Sequence, residues 1–210
     1  LDLSSLLKAS RAISGEIVLE RLLGRFMEII MENAGAGRGW FLQEEAGQLA
    51  VRVSGSLEDR VQVHPPILPA DLEGPRPATT VLSYVERSGQ HVVIGQADDR
   101  GNFADDADVA RVLSVFCFPI LHHGRSVGLL YLENELTGGA FTEERLRLLQ
   151  MLGSQAAVSL ENAALYQGLE DKVAERTLQL QLATDAAERA RGEIQKLNEF
   201  SKKLDSLTDV

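Results

Sequence analysis

A chain of 210 residues with 31 acidic against 21 basic side chains, net −10, is repelled by nucleic acid and by anionic membrane surfaces unless a local basic patch intervenes, and the sequence has none. Its single cysteine excludes an intrachain disulfide and a Cys-rich zinc site and suits a reducing compartment, the cytoplasm, while 44% hydrophobic content is enough for an ordinary packed core. The length allows one domain with an appendage, or two small domains.

In chain order, Leu3, Leu6, Leu7 and Ile13 fall near helical spacing and predict a helix over residues 1–13. Ser14-Gly15-Glu16 reads as a break, with Ser14 as a cap for a second amphipathic helix carried by Ile17, Val18, Leu22, Leu23, Phe26, Met27, Ile29 and Ile30 to about Asn33. Gly35, Gly37 and Gly39 then punctuate the chain. They follow a helix and lack a Gly-Lys-Ser/Thr ending, so they read as helix termination rather than a phosphate loop. Trp40 to Leu42 and Leu49 to Val53 predict two strands around the turn Glu45-Ala46-Gly47, with a short strand from Val61 to Ile67. Five prolines between Pro65 and Pro77 make an irregular connection. Thr79-Thr80 opens a helix over Val81, Leu82, Tyr84 and Val85, closed by Ser88-Gly89, and His91 to Ile94 is a short strand. Residues 96–112 are polar and acidic and predict a loop with one helical turn.

Val115 to Leu121 and Val127 to Leu132 flank His122-His123-Gly124-Arg125, which is the pattern of a β-hairpin. Phe141-Thr142-Glu143-Glu144 opens a helix, with Thr142 as its N-cap and two acids where the helix dipole favours negative charge. Leu146, Leu149, Met151, Leu152, Ala156, Leu160 and Ala163 continue it at helical spacing. Beyond Leu165 the apolar period becomes seven. Tyr166, Val173, Leu180, Ala187, Ile194 and Ser201 form one row, and Leu169, Arg176, Ala183, Ala190, Leu197 and Leu204 sit three residues further on. This a/d seam predicts a parallel coiled coil with a second copy, weakened in the middle by alanines. The longest apolar stretch, about Val115 to Leu121, is far short of the roughly 18 to 20 residues that span a bilayer. No secretory signal is visible, and both chain ends have helix-like sequence, as in a piece of a longer protein.

Candidate chemistry is sparse. Asp98, Asp99, Asp105, Asp106 and Asp108 lack the spacing of a calcium loop, His122-His123 sits at a hairpin turn, and His64 and His91 have no metal-ligating neighbour at the right spacing. Cys117, between two phenylalanines of a strand, reads as a buried thiol, and no nucleophile elbow is present. No catalytic residue, metal site or cofactor is expected, and the chain is read as a non-enzyme.

The phrases SRAISGEIVLERLL, FADDADVARVLSVFCFPI and LLYLENELTGGAFT, with Gln155-Ala156-Ala157 and Leu160-Glu161-Asn162-Ala163, resemble a GAF domain over about residues 1–168, with 169–210 as a coiled-coil signalling linker. The likeness is closest to GAF domains of large bacterial signalling proteins with a histidine kinase or nucleotide cyclase output. It implies an α/β (α+β) fold: an antiparallel sheet of about six strands, flanked by helices and continued by the long C-terminal helix. It also implies a homodimeric small-molecule sensor whose pocket lies between one sheet face and residues 96–112, with Phe103, Phe116, Phe118 and Tyr131 as pocket candidates. Strand alternation puts Phe116 and Phe118 on one face and Val115 and Cys117 on the other; the sequence leaves open which face meets the pocket. Relatives that bind cyclic nucleotides carry Asn-Lys, a Phe, and Asp-Glu four residues after it. Here Glu135 follows Asn134 and Arg145-Leu146 replaces Asp-Glu, so only Phe141 and the Asn match. A ligand-free dimerisation module is the alternative of a different class, and a methionine-sulfoxide-reducing enzyme is disfavoured by the single thiol.

Overall fold

Six strands pair antiparallel in the order β3-β2-β1-β6-β5-β4, in a computed structural model that describes Glu16 and residues 18–208. The strands are β1 (Arg38–Glu45), β2 (Gln48–Ser56), β3 (Gln62–Ile67), β4 (Val92–Ile94), β5 (Ser114–His122) and β6 (Arg125–Asn134). The helices are α1 (Leu19–Ala34), α2 (Thr79–Ser88), the single turn α3 (Ala107–Ala110) and α4 (Glu143–Thr208). The helix expected over 1–13, the Ser14 cap and Ile17 lie outside the described residues. So do the side chains of Asp98, Leu197 and Leu204.

Both tight hairpins follow from their turn residues. Ala46 and Gly47, then His123 and Gly124, all have positive φ (51°, 81°, 48° and 78°), which matches the right-handed twist of the flanking strands. Thr142 caps α4 as expected: its hydroxyl accepts from the Arg145 amide at 3.5 Å and its carbonyl from Leu146 at 2.9 Å. α1 closes on Gly35 at φ 66°, a left-handed cap that glycine adopts without strain.

The sheet separates two apolar layers. On one face, Leu22, Leu23, Phe26, Met27 and Ile30 of α1 and Leu149, Leu152, Ala156 and Leu160 of α4 pack on Phe41, Val53, Phe116, Phe118, Ile120, Leu130 and Leu132. On the other, Val81, Leu82 and Val85 of α2, with Val109 and Val112, pack on Trp40, Leu42, Val51, Val115, Cys117, Leu129 and Tyr131. The two lists alternate along β5 and β6 because successive strand side chains point to opposite faces.

The compact unit closes at Ala164, and a second unit begins at Leu165. In this second unit α4 continues as a single helix to Thr208, and Tyr166, Leu169, Val173, Leu180 and Ile194 are all exposed. Ala183, Ala187 and Ala190 are exposed with them.

Candidate functional site

The face opposite α1 and α4 carries the features of a site. The segment 97–112 lies over this face, as two 3-10 turns broken at Gly101 followed by α3. Side-chain hydrogen bonds hold the segment in place. Asp106 accepts from the amides of Asp108 (2.8 Å) and Val109 (3.3 Å), capping α3, and the Thr80 hydroxyl of α2 donates to it. Burial alone would raise the Asp106 carboxyl, but the Thr80 hydroxyl and those amides hold it below its ordinary value. Arg100 donates to the carbonyls of Ala110 (3.1 Å) and Val112 (2.9 Å), folding the segment on itself.

The structure divides the four aromatic candidates. Tyr131 is fully buried on this face, edge-on to Trp40 with ring centroids 5.7 Å apart, and Phe103 of the covering segment meets Tyr84 of α2 at 5.6 Å. Phe116 and Phe118 are on the other side of the sheet, stacked at 4.7 Å in the layer formed with α1 and α4. Their assignment to a pocket under residues 96–112 is therefore corrected. In the β5–β6 register Cys117 pairs with Tyr131 and Phe116 with Leu132, so the phenylalanines cannot share a face with Tyr131.

Cys117 is buried, and desolvation drives its thiol far above the ordinary range, which leaves it inert as a nucleophile. His122 reaches Glu161 of α4 instead of standing free at the hairpin turn. His64 meets the Ser54 hydroxyl at 2.8 Å and is pushed down by burial. Among the described residues no cluster of His, Cys, Asp or Glu is arranged to hold a metal, and no helix is long and apolar enough to cross a membrane.

The charged end of this face escaped the sequence reading. Glu133 of β6 lies opposite Arg38 of β1 in the ladder and has no exposed surface. Its Oε1 is 3.6 Å from the Arg38 guanidinium and 3.4 Å from that of Arg111. Glu135 pairs with both arginines, and Arg111 also reaches Asp108 (3.4 Å) and the Arg76 carbonyl (2.8 Å). Burial pushes Glu133 up to about 7, although Arg111 and Arg38 pull the other way. Arg38, which burial alone would lower, is held above its ordinary value by Glu135 and Glu133. The signal was present in the sequence: Tyr131 and Glu133 are two apart in a strand, so a buried Tyr131 implies an inward-facing Glu133.

The profile of the GAF domain family matches residues 18–160. The chain belongs to the GAF domain family. Over 113 residues it is 34% identical to hybrid signal transduction histidine kinase G of Dictyostelium discoideum; the match covers 53% of this chain and 3% of that kinase. The GAF domain of an Acinetobacter phosphoenolpyruvate-protein phosphotransferase superposes with a TM-score of 0.58 at 17% identity, covering 78% of this chain and 94% of the other. The GAF domain of a two-component sensor histidine kinase from Bacillus halodurans does so with 0.52 at 18%, covering 72% and 99%.

The two positions that depart from the cyclic-nucleotide pattern have other roles in this GAF domain. Glu135, where relatives have Lys, is engaged by Arg38 and Arg111. Arg145, where they have Asp, donates to the Ala140 carbonyl at 2.7 Å. Asn134 joins the ends of two elements: its amide donates to Gly35 and its oxygen accepts from Leu136 and Thr137, each at 2.8 Å.

Proposed function

We propose that this GAF domain is a regulatory small-molecule sensor and dimerisation domain of a cytoplasmic multidomain signalling protein. Its C-terminal helix pairs with that of a second copy and carries the sensor's state to a linked output domain, a histidine kinase or nucleotide cyclase. The observation that carries the reading is the heptad row on α4: Tyr166, Leu169, Val173, Leu180 and Ile194 are all exposed among the described residues. A helix cannot bury such a stripe alone, and a parallel copy offers the matching one. For the relay to work, a ligand must favour one arrangement of the helix pair through its difference in affinity for the two. The buried, inert thiol of Cys117 favours binding over thiol catalysis.

Cysteine cross-linking tests the pairing. Val173→Cys and Leu180→Cys each place one thiol on the seam, and buried Cys117 adds no background. In a parallel dimer both variants give a disulfide-linked species on mild oxidation, whereas Glu175→Cys, off the seam, gives far less. Monomer mass by light scattering at tens of micromolar, with no selective cross-linking, would sink the dimer and with it the relay.

The cyclic-nucleotide reading has weaker support. Glu135 and Arg145 cannot form the Lys–Asp bridge that braces the pocket in those relatives, and both are committed elsewhere. A ligand-free spacer is favoured by the filled layer around Trp40 and Tyr131, and isothermal titration against cyclic nucleotides and other candidate ligands separates it from a sensor.

A further inference from the structure

Away from the charged end of β6, Ser54 of β2 and His64 of β3 meet through Oγ and Nε2 at 2.8 Å. The ladder brings them together. Ser54 lies opposite Trp40 on one side and opposite Gln62 on the other, and His64, two residues past Gln62, is its diagonal neighbour on the same face. Pro65 follows His64 and confines its backbone to extended conformations, so the imidazole is positioned in advance. Neither side chain is sealed in: both are half-buried. Ser54 opens onto a recess of about 360 Å³ that also holds Trp40, the guanidinium groups of Arg38 and Arg60, and the carboxylates of Glu58, Asp59 and Glu73.

We propose that Ser54 and His64 are a nucleophile and its general base, and that this recess hydrolyses small uncharged carboxylic esters. Burial lowers His64, so the ring stands as the neutral base, and with its proton on Nδ1 the Nε2 atom accepts from the Ser54 hydroxyl. Ser54 Oγ adds to the ester carbonyl carbon as its proton passes to Nε2. The bond to the alcohol oxygen breaks, and the alcohol leaves with that proton. Water then adds to the acyl carbon and gives a proton to Nε2. The acyl bond to Oγ breaks, Oγ takes the proton back, and the carboxylic acid departs. Arg38, held by Glu135, and Arg60 supply positive charge for the oxygen that becomes negative on the way. Three carboxylates beside two guanidinium groups disfavour a charged substrate of either sign. The volume holds about a dozen heavy atoms at roughly 30 Å³ each, which p-nitrophenyl acetate matches. The proposal goes beyond the sensor and relay reading and does not depend on dimerisation.

The test is release of p-nitrophenolate from p-nitrophenyl acetate by the whole chain, with the acetyl group located by peptide mass spectrometry after acid quench. The expected result is acetyl on Ser54 and a rate at least about tenfold above Ser54→Ala, since a positioned general base contributes on the order of 10²-fold or more. Reaction at other surface nucleophiles is common to both proteins and cancels in the comparison. His64→Gln keeps a hydrogen-bonding side chain beside Ser54 but removes the base, and should fall to the Ser54→Ala rate. The charged groups around the recess are Arg38 from β1, Glu58, Asp59 and Arg60 between β2 and β3, and Glu73 before α2. The Ser54-dependent rate should rise with pH through one ionisation centred below 6.5, the ordinary value for histidine, and level off above it. If Ser54→Ala does not fold, the position of the acetyl group on the wild-type chain decides the matter. Equal rates in wild type and Ser54→Ala, an undiminished rate in His64→Gln, or acetyl found only at other residues overturns the site.

Discussion

Replacing Glu133 by glutamine should make the domain more stable at alkaline pH, although it removes one partner of an ion-pair network. In the folded state burial holds this carboxyl at about 7 against an ordinary 4.5, so between those values the native state keeps a proton that the unfolded chain has lost. Stability from this group is therefore complete below about 4.5 and is lost as pH rises through about 7. A gap of 2.5 units corresponds to roughly 3 kcal/mol at about 1.36 kcal/mol per unit. Glutamine has nearly the shape of the protonated acid and no charge to desolvate, while Arg38 and Arg111 keep Glu135, and Arg111 keeps Asp108. Urea unfolding followed by Trp40 fluorescence reads the result, since Trp40 is the only tryptophan and is buried in the same layer. At a fixed protein concentration, wild type and Glu133→Gln should have similar stability near pH 5. Near pH 8 the variant should be ahead by one to about three kcal/mol, the upper end being an order-of-magnitude limit. If the variant is instead the less stable by more than about 1 kcal/mol at pH 8, the arginines more than repay the burial of the carboxylate and the reasoning fails.

Three further outcomes follow from the packing. Gly128→Ala would put a Cβ 2.5 Å from the Phe41 ring and 2.6 Å from the Leu42 carbonyl, where backbone must move; a loss of about 2 kcal/mol is expected, seen as a melting point roughly 4–8 °C lower by calorimetry. Asp106→Ala removes the cap of α3 and the link to Thr80, so hydrogen exchange should quicken across residues 97–112 while global stability falls by only about 1–2 kcal/mol. Leu180→Asp changes a side chain that is 68% exposed in one chain. It should therefore leave the unfolding of the compact unit unchanged but raise the dissociation constant of the proposed dimer at least about tenfold in sedimentation equilibrium, and an unaltered constant would remove Leu180 from the proposed seam.

Hydrophobic period and turn chemistry made most of the fold legible. Asn134 to Thr142 and the hairpin at His123-Gly124 carry their own local instructions, so the strand–turn–strand–helix order around them is visible without tertiary information. What stayed hidden is what needs knowledge of which sheet face meets which layer. Alternation in β5 fixed that Phe116 and Phe118 share a face, yet it could not say that α1 and α4, rather than the 97–112 segment, cover that face. The observed β5–β6 register supplies the missing fact, since one pairing, Cys117 with Tyr131, fixes the side of the residues from Ser114 to Ile120 and of their partners from Gly128 to Asn134, up to the register shift after Ile120. The charged site was harder to see because its members come from three separate stretches: Arg38, Asp108 with Arg111, and Glu133 with Glu135. No spacing rule joins them.

That assembly also explains why a costly buried carboxylate could stay in a domain of this kind. Arg111 contacts Glu133 and Glu135 at the end of β6, Asp108 in α3 and the carbonyl of Arg76 before α2, so it connects the sheet to the covering segment. A change of charge at Glu133 alters the pull on one guanidinium that three other elements share. A hydrophobic residue at position 133 could fill the space, but it would take away one of the groups that turn Arg111 toward the sheet, leaving Glu135 there, while Thr80–Asp106, Arg76–Asp108 and apolar contacts hold the rest of the segment 97–112. The network is thus better understood as a means of positioning the cover than as a source of net stability.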